Sequence, residues 1–139
     1  MMRYEGCWSK GKRHGQGVLQ SFIDGELEWR YEGAFANDRI EGEGVMICND
    51  GRRISGTWKR GQLNSTGIIE YVDGRRYVGQ FENGLKHGHG EMYWPDGRHY
   101  VGNWRNEQRS GLGMLKWSDG SYYEGRFAFG LRHGQGTMV

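Results

Sequence analysis

Apolar and polar positions alternate with a period of two along most of the chain, the spacing of a strand with one buried face. Tyr77, Gly79 and Phe81 fall on one side of an extended segment, with Val78 and Gln80 on the other. In the next segment Gly88, Gly90, Met92 and Trp94 share a side, and His89, Glu91 and Tyr93 take the opposite one. One face is therefore aromatic, aliphatic and glycine, while the other is mixed and mostly polar. Half-buried antiparallel strands have this pattern; helices do not.

The pattern recurs. An aromatic–x–Gly–x–aromatic segment stands at Tyr4–Trp8, Tyr31–Phe35, Tyr77–Phe81, Tyr100–Trp104 and Tyr123–Phe127, and Ile54–Trp58 is the same segment with isoleucine in first place. The copies start at residues 4, 31, 54, 77, 100 and 123, one step of 27 and then four of 23. A Gly-x-Gly pair follows in register at Gly15, Gly42, Gly88, Gly111 and Gly134, and the third copy keeps only Gly67, with Ser65 before it. Asp-Gly closes five copies, at Asp24, Asp50, Asp73, Asp96 and Asp119. Three landmarks in register through six copies define an internal repeat, and a short repeat buries its apolar face by stacking on its neighbours.

Each copy spells a β-hairpin. The glycine between two aromatics leaves a gap over which a neighbouring ring can lie. Asp-Gly favours a two-residue turn with both central residues at positive φ. Six hairpins give about twelve short strands, a width at which an open sheet curls. The expected fold is all-β, a single-layer curved antiparallel ribbon of six tandem hairpins. It forms one repeat domain over residues 1–139, with the aromatic face inside the curve. The first copy is longer and predicts an arm carrying Phe22, Ile23, Leu27 and Trp29, which serves either as extra core or as a partner contact.

The Tyr-x-Gly-x-Trp/Phe strand, the Gly11-Lys12-Arg13-His14-Gly15 loop and the closing Asp-Gly resemble the MORN (membrane occupation and recognition nexus) repeat, over Tyr4 to Val139. Ile54, Ser65 and the long first copy depart from that pattern. The resemblance implies a single sheet bent into a groove. It also implies a non-catalytic module of the kind found in cytoskeletal, ciliary and membrane-junction proteins. Similar arrays accompany lipid kinases, a lysine methyltransferase and exchange factors, so an accessory module of a larger enzyme is an alternative setting. The end strands near Tyr4–Trp8 and Gly134–Val139 are unprotected sheet edges, so either the chain is cut from a longer array or it pairs with itself as a homodimer through them. The resemblance to arrays that can dimerise through end repeats makes the homodimer reasonable.

Composition sharpens this picture. The chain holds 26 Gly but 1 Pro, beside 6 Trp, 8 Tyr and 5 Phe, so glycine serves geometry next to large rings and is not linker filler. A net charge of +2 from 19 basic and 17 acidic residues supplies no field for nucleic acid, and none is expected as a partner. No apolar run is long enough to span a membrane as a helix. The first copy starts at Tyr4, so no signal peptide is expected, and Cys7 and Cys48 fit no disulfide framework. The expected setting is the reducing cytoplasm, associated with cytoskeleton or cilium if the resemblance is followed.

Candidate chemistry is sparse. His14, His87 and His133 share one repeat position that Glu41, Asn64 and Ser110 fill elsewhere, which spaces them along a ribbon edge instead of converging them on a metal. Glu5, Glu32 and Glu124 repeat in the same way. No Gly-x-Ser-x-Gly elbow, phosphate loop or His-Glu-x-x-His motif occurs. No catalytic residue, cofactor or metal is expected. The candidate groove for a partner helix or extended peptide comprises Trp29, Tyr31, Phe35, Trp58 and Tyr77, continuing through Phe81, Trp94, Tyr100, Trp104 and Trp117. The alternative is a weak, salt-sensitive contact with anionic phospholipid through Arg52, Arg53, Arg75, Arg76 and Arg98, one row of basic loops.

Overall fold

The computed structural model describes the backbone of residues 1–139 and every side chain except that of Gln135. The first six strands are β1 (Met2–Ser9), β2 (Lys12–Ile23), β3 (Glu26–Ala36), β4 (Arg39–Cys48), β5 (Arg53–Lys59) and β6 (Gln62–Glu70). The second six are β7 (Arg76–Glu82), β8 (Leu85–Tyr93), β9 (His99–Arg105), β10 (Gln108–Lys116), β11 (Tyr122–Ala128) and β12 (Leu131–Met138). All twelve form one open antiparallel sheet in chain order, so β1 and β12 are its edges.

The register puts glycine opposite glycine on every strand. The row runs from Gly6 through Gly17, Gly33, Gly44, Gly56 and Gly67. It continues through Gly79, Gly90, Gly102 and Gly113 to Gly125 and Gly136. Tyrosine rings lie flat along it. A Cβ added at Gly44 would fall inside the Tyr31 ring, and one at Gly90 or Gly113 inside Tyr77 or Tyr100. Each hydroxyl then donates to the carbonyl three residues on: Tyr4 to Cys7 (2.6 Å), Tyr31 to Ala34 (3.0 Å), Tyr77 to Gln80 (2.9 Å), Tyr100 to Asn103 (2.8 Å) and Tyr123 to Arg126 (3.1 Å). A buried phenol needs such an acceptor, and its ring needs a backbone without side chains beneath it.

Tyr31, Tyr77 and Tyr100 are fully buried although no second layer covers them. Their cover is the aromatic four residues on and its counterpart in a neighbouring hairpin, both edge-on. Phe35 and Trp58 flank Tyr31 at centroid distances of 5.4 and 5.6 Å, and Phe81 and Trp104 flank Tyr77 at 5.1 and 5.3 Å. A single sheet can bury one face against itself only by bending toward that face, so the ring face is the inside of the curve.

Burial pushes the Tyr31 and Tyr100 phenols up to about 12, and Tyr77 further in the same direction. Unfolded tyrosine ionises near pH ~10. The folded sheet holds these protons to higher pH than the unfolded chain does. The stability they contribute is therefore intact below pH ~10 and is lost as pH rises through the folded values. In an alkaline titration, the phenolate absorbance of these buried tyrosines should rise together with the loss of β circular dichroism. Ionisation of all eight tyrosines near pH ~10 with the sheet intact would contradict the buried ladder.

The turns differ from the expectation. Only Asp24-Gly25 makes the two-residue turn with both residues at positive φ (51° and 80°). At Asp50, Asp73, Asp96 and Asp119 only the following glycine is left-handed. There the loop is one residue longer, with Gly51 N–H bonded to Cys48 O (3.0 Å) and Cys48 N–H to Arg52 O (2.9 Å). The aspartate instead accepts from the N–H two residues on, as Asp50 does from Arg52 (3.0 Å), a bond that holds it in a type I turn. Pro95, at the second turn position before Asp96-Gly97, belongs to the same geometry. The two-residue turns lie at the other end of each hairpin, for example Arg60-Gly61 and Asn83-Gly84.

Candidate interaction surface

Seven of the candidate groove residues, Tyr31, Phe35, Trp58, Tyr77, Phe81, Tyr100 and Trp104, are the interior of the ring ladder. Trp29, Trp94 and Trp117 are half-buried against its margin. In the first-repeat arm, Trp29 pairs with Ser21 and Cys48, whereas Ile23 and Leu27 are exposed near the tip.

One further repeat position, which carries a basic residue in four of the six copies, lies over the rings. Successive repeats fill it with Arg13, Ile40, Leu63, Lys86, Arg109 and Arg132. Ile40 and Leu63 are buried aliphatics, and Lys86 is as buried as they are, at 6% exposure. Its ammonium lies 5.5, 5.6 and 5.4 Å from the centroids of Tyr71, Tyr77 and Trp104, a desolvated cation–π cage. Glu107 completes it: one carboxylate oxygen lies 2.9 Å from Lys86 Nζ and the other accepts the Lys86 N–H (2.8 Å). Arg13 is held in the same way, over Tyr4 and Phe35, with its Nε 2.8 Å from Asp38. The Arg13 backbone N–H and guanidinium keep the Asp38 carboxyl below the usual carboxylate range.

Asp38 and Glu107 sit at the second turn residue of the next repeat, at left-handed φ of 72° and 75°. Where the slot holds Ile40 or Leu63, the same turn position is Gly61 or Gly84. The acid tolerates backbone strain to answer a buried cation. Lys86→Leu alone should therefore destabilise by about 1 kcal/mol, leaving Glu107 strained and without its partner. Lys86→Leu with Glu107→Gly should return to within about 0.5 kcal/mol of the parent or exceed it, because a buried pair replaced by apolar packing is commonly neutral or better. Urea denaturation checks this; equal loss in single and double variants would sink the pairing account.

The five candidate lipid-binding arginines divide between two faces. Arg52, Arg75 and Arg98 each bond the aspartate of their own turn, at 2.8, 2.8 and 2.9 Å. Arg75 and Arg98 also lie over Tyr71 (4.3 Å) and Trp94 (4.8 Å). Arg53 and Arg76, one residue on, are exposed on the outer face, because adjacent residues of a strand point opposite ways. Among the described residues no carboxylate lies within ion-pair distance of either.

The third repeat breaks the ladder. Ile54 leaves the tyrosine place unfilled, Leu63 covers Gly56 and Gly67 instead, and the Trp58 indole N–H donates to Gly44 O (2.9 Å). A hollow of about 330 Å³ opens there, lined by Met46, Ile54, Trp58, Leu63, Ile69 and Tyr71, with Arg52 and Glu107 on its wall. Through Met46 it adjoins a wider depression of about 920 Å³ that includes Leu19, Trp29 and Ile40. Among the described residues, no cluster of His, Cys, Asp or Glu stands where it could hold a metal ion. No helix is long and apolar enough to cross a membrane. Cys7 and Cys48 are free thiols, and burial pushes the Cys48 thiol up.

Comparison with known proteins agrees with the geometry. The family model described as MORN repeat matches residues 4–22, 31–52, 55–75, 77–97, 100–122 and 123–139. Alsin of Rattus norvegicus, of Mus musculus and of Homo sapiens is each 35% identical over 76 residues, covering 51% of this chain. The chain spans only 4% of the length of those relatives.

Proposed function

The chain belongs to the MORN repeat family, whose arrays are generally non-catalytic modules for protein or membrane interaction, and on that premise we propose that it is a protein-interaction scaffold. The hollow at the third repeat takes an apolar side chain from a partner helix or extended peptide laid along the inside of the curve. The setting we propose is a cytoplasmic assembly of cytoskeletal, ciliary or membrane-junction type.

The observation that carries this reading is Ile54. Five repeats close the ring face with tyrosine over glycine, and the third leaves an apolar hollow beside a wider depression. Concave sites with apolar walls and a few polar groups at the margin are where side chains of a partner dock.

Ile54→Tyr restores what the other repeats carry and fills the hollow. Because Leu63 already stands over Gly56 and Gly67, the larger ring must displace it, so the variant should stay folded at a cost of about 1–3 kcal/mol. Peptides selected by display on the parent protein should bind this variant at least about tenfold more weakly, the effect of removing one buried anchor. They should bind Arg53→Glu/Arg76→Glu unchanged. Peptides that ignore Ile54→Tyr, or a protein that binds phosphatidylserine vesicles through Arg53 and Arg76, would favour the outer-face membrane reading.

A further inference from the structure

In every repeat junction the turn N–H donates to the carbonyl of the cation-slot residue: Asp38 to Arg13 (2.9 Å), Glu107 to Lys86 (3.1 Å) and Gly130 to Arg109 (3.1 Å). Gly130 is thus placed beside Arg109 as Glu107 is placed beside Lys86. Arg109 occupies an equivalent cage, its guanidinium carbon 5.3, 5.8 and 6.0 Å from the centroids of Phe127, Tyr100 and Trp94. Gly130 brings no carboxylate. It offers its carbonyl oxygen, 2.6 Å from Arg109 Nη2, and among the described residues no acid lies within ion-pair distance. The space around Gly130 is open, since a Cβ there would meet nothing within 4 Å. Burial, with Arg98 and Arg132 nearby, lowers the Arg109 pKa from the ordinary guanidinium value. Arg98 is bonded to Asp96, whereas Arg132 stands exposed over Trp117 and Tyr123.

We propose that Arg109, with Arg132 beside it, recognises a carboxylate on an acidic segment of a partner protein. The partner's Asp or Glu takes the place beside Arg109 that Glu107 takes beside Lys86. This site is separate from the hollow at Ile54 and rests on the scaffold reading only in that the partner is a protein. The chain itself supplies the template, twice, as a carboxylate carried on a turn. A guanidinium presents a planar fork that such a carboxylate matches. Phe129 and Leu131, 82% and 70% exposed, flank Gly130 and give the approaching segment apolar cover.

The test uses a fluorescein-labelled hexaglutamate peptide, with hexalysine as control, on the full chain. Gly130→Glu supplies the missing carboxylate from within, at a φ of 77° that Glu107 already tolerates at 75°. Gly25→Glu, at another open left-handed turn position, matches its charge. Hexaglutamate should bind the parent and weaken roughly fivefold or more with Gly130→Glu and with Arg109→Gln, the scale of a charge-assisted hydrogen bond. Gly25→Glu and Arg53→Gln/Arg76→Gln should change it less than about twofold, because exposed charges are screened. A raised melting temperature for Gly130→Glu would show that its carboxylate reaches Arg109. Three results would overturn the proposal: no hexaglutamate binding, equal loss in the two controls, or Arg109-dependent binding to phosphatidylserine vesicles instead. Failure here with peptide binding still lost in Ile54→Tyr would leave the groove reading standing.

Discussion

Gly90→Ala is expected to destabilise the protein by about 3 kcal/mol, the upper end of the usual cost of overpacking a core. Its methyl would lie inside the Tyr77 ring, whose Cε1 and Cζ stand 2.6 Å from the ideal Cβ. That ring cannot retreat. Phe81 and Trp104 hold its outer side edge-on, and its hydroxyl is bonded to Gln80 O. Gly67→Ala is the internal control. No tyrosine covers it, and its added Cβ would meet Ser55 O at 2.9 Å, Phe81 Cε2 at 3.2 Å and Leu63 Cδ1 at 3.3 Å. These contacts are longer than the ring contacts at Gly90, although the nearest is backbone, so its cost should be smaller, about 1–2 kcal/mol. Denaturant midpoints at constant slope compare the two. Equal costs would mean that the glycine row exists for backbone reasons and not to seat the tyrosines.

Trp104→Ala should cost about 3–5 kcal/mol, the range for removing a buried aromatic. The indole is edge-on to both Tyr77 and Tyr100 at 5.3 Å, its N–H donates to Gly90 O (3.2 Å), and its face forms one wall of the Lys86 cage. Its removal opens a cavity and exposes two tyrosines at once. The equivalent aromatic of the first repeat, Trp8, is 60% exposed and touches Tyr4 alone among the ring pairs, so Trp8→Ala should cost below about 1 kcal/mol. Thermal melts of both variants check the contrast. A small loss from Trp104→Ala would mean that the rings do not bury one another.

The ribbon itself was readable because its two determinants are periodic. Alternation puts Tyr77, Gly79 and Phe81 on one face, and the constant step brings glycine opposite glycine. The turns were less legible because Asp-Gly serves two geometries. The choice rests on the residue before it, where Pro95 favours a type I turn over the two-residue turn. The cation slot escaped because Lys86 and Glu107 are 21 residues apart and each looks like a loop charge when read alone. Comparing repeats column by column carries the signal, since Asp38 and Glu107 interrupt a glycine column immediately after a repeat with a slot cation. Arg52 and Arg53 looked like one basic loop. Strand geometry sends them to opposite faces, and Asp50 holds only the first.

The central claim, that a partner docks in the hollow left by Ile54, is tested most directly by nuclear magnetic resonance of the isotope-labelled protein titrated with a display-selected peptide. The Trp58 indole N–H, bonded to Gly44 O beside the hollow, is the reporter. The account predicts that this resonance and the methyl groups of Met46, Ile54 and Ile69 shift with the peptide, while Val101 and Arg76 on the outer face do not. Shifts confined to the outer face, with the Trp58 indole unmoved at saturation, would contradict it.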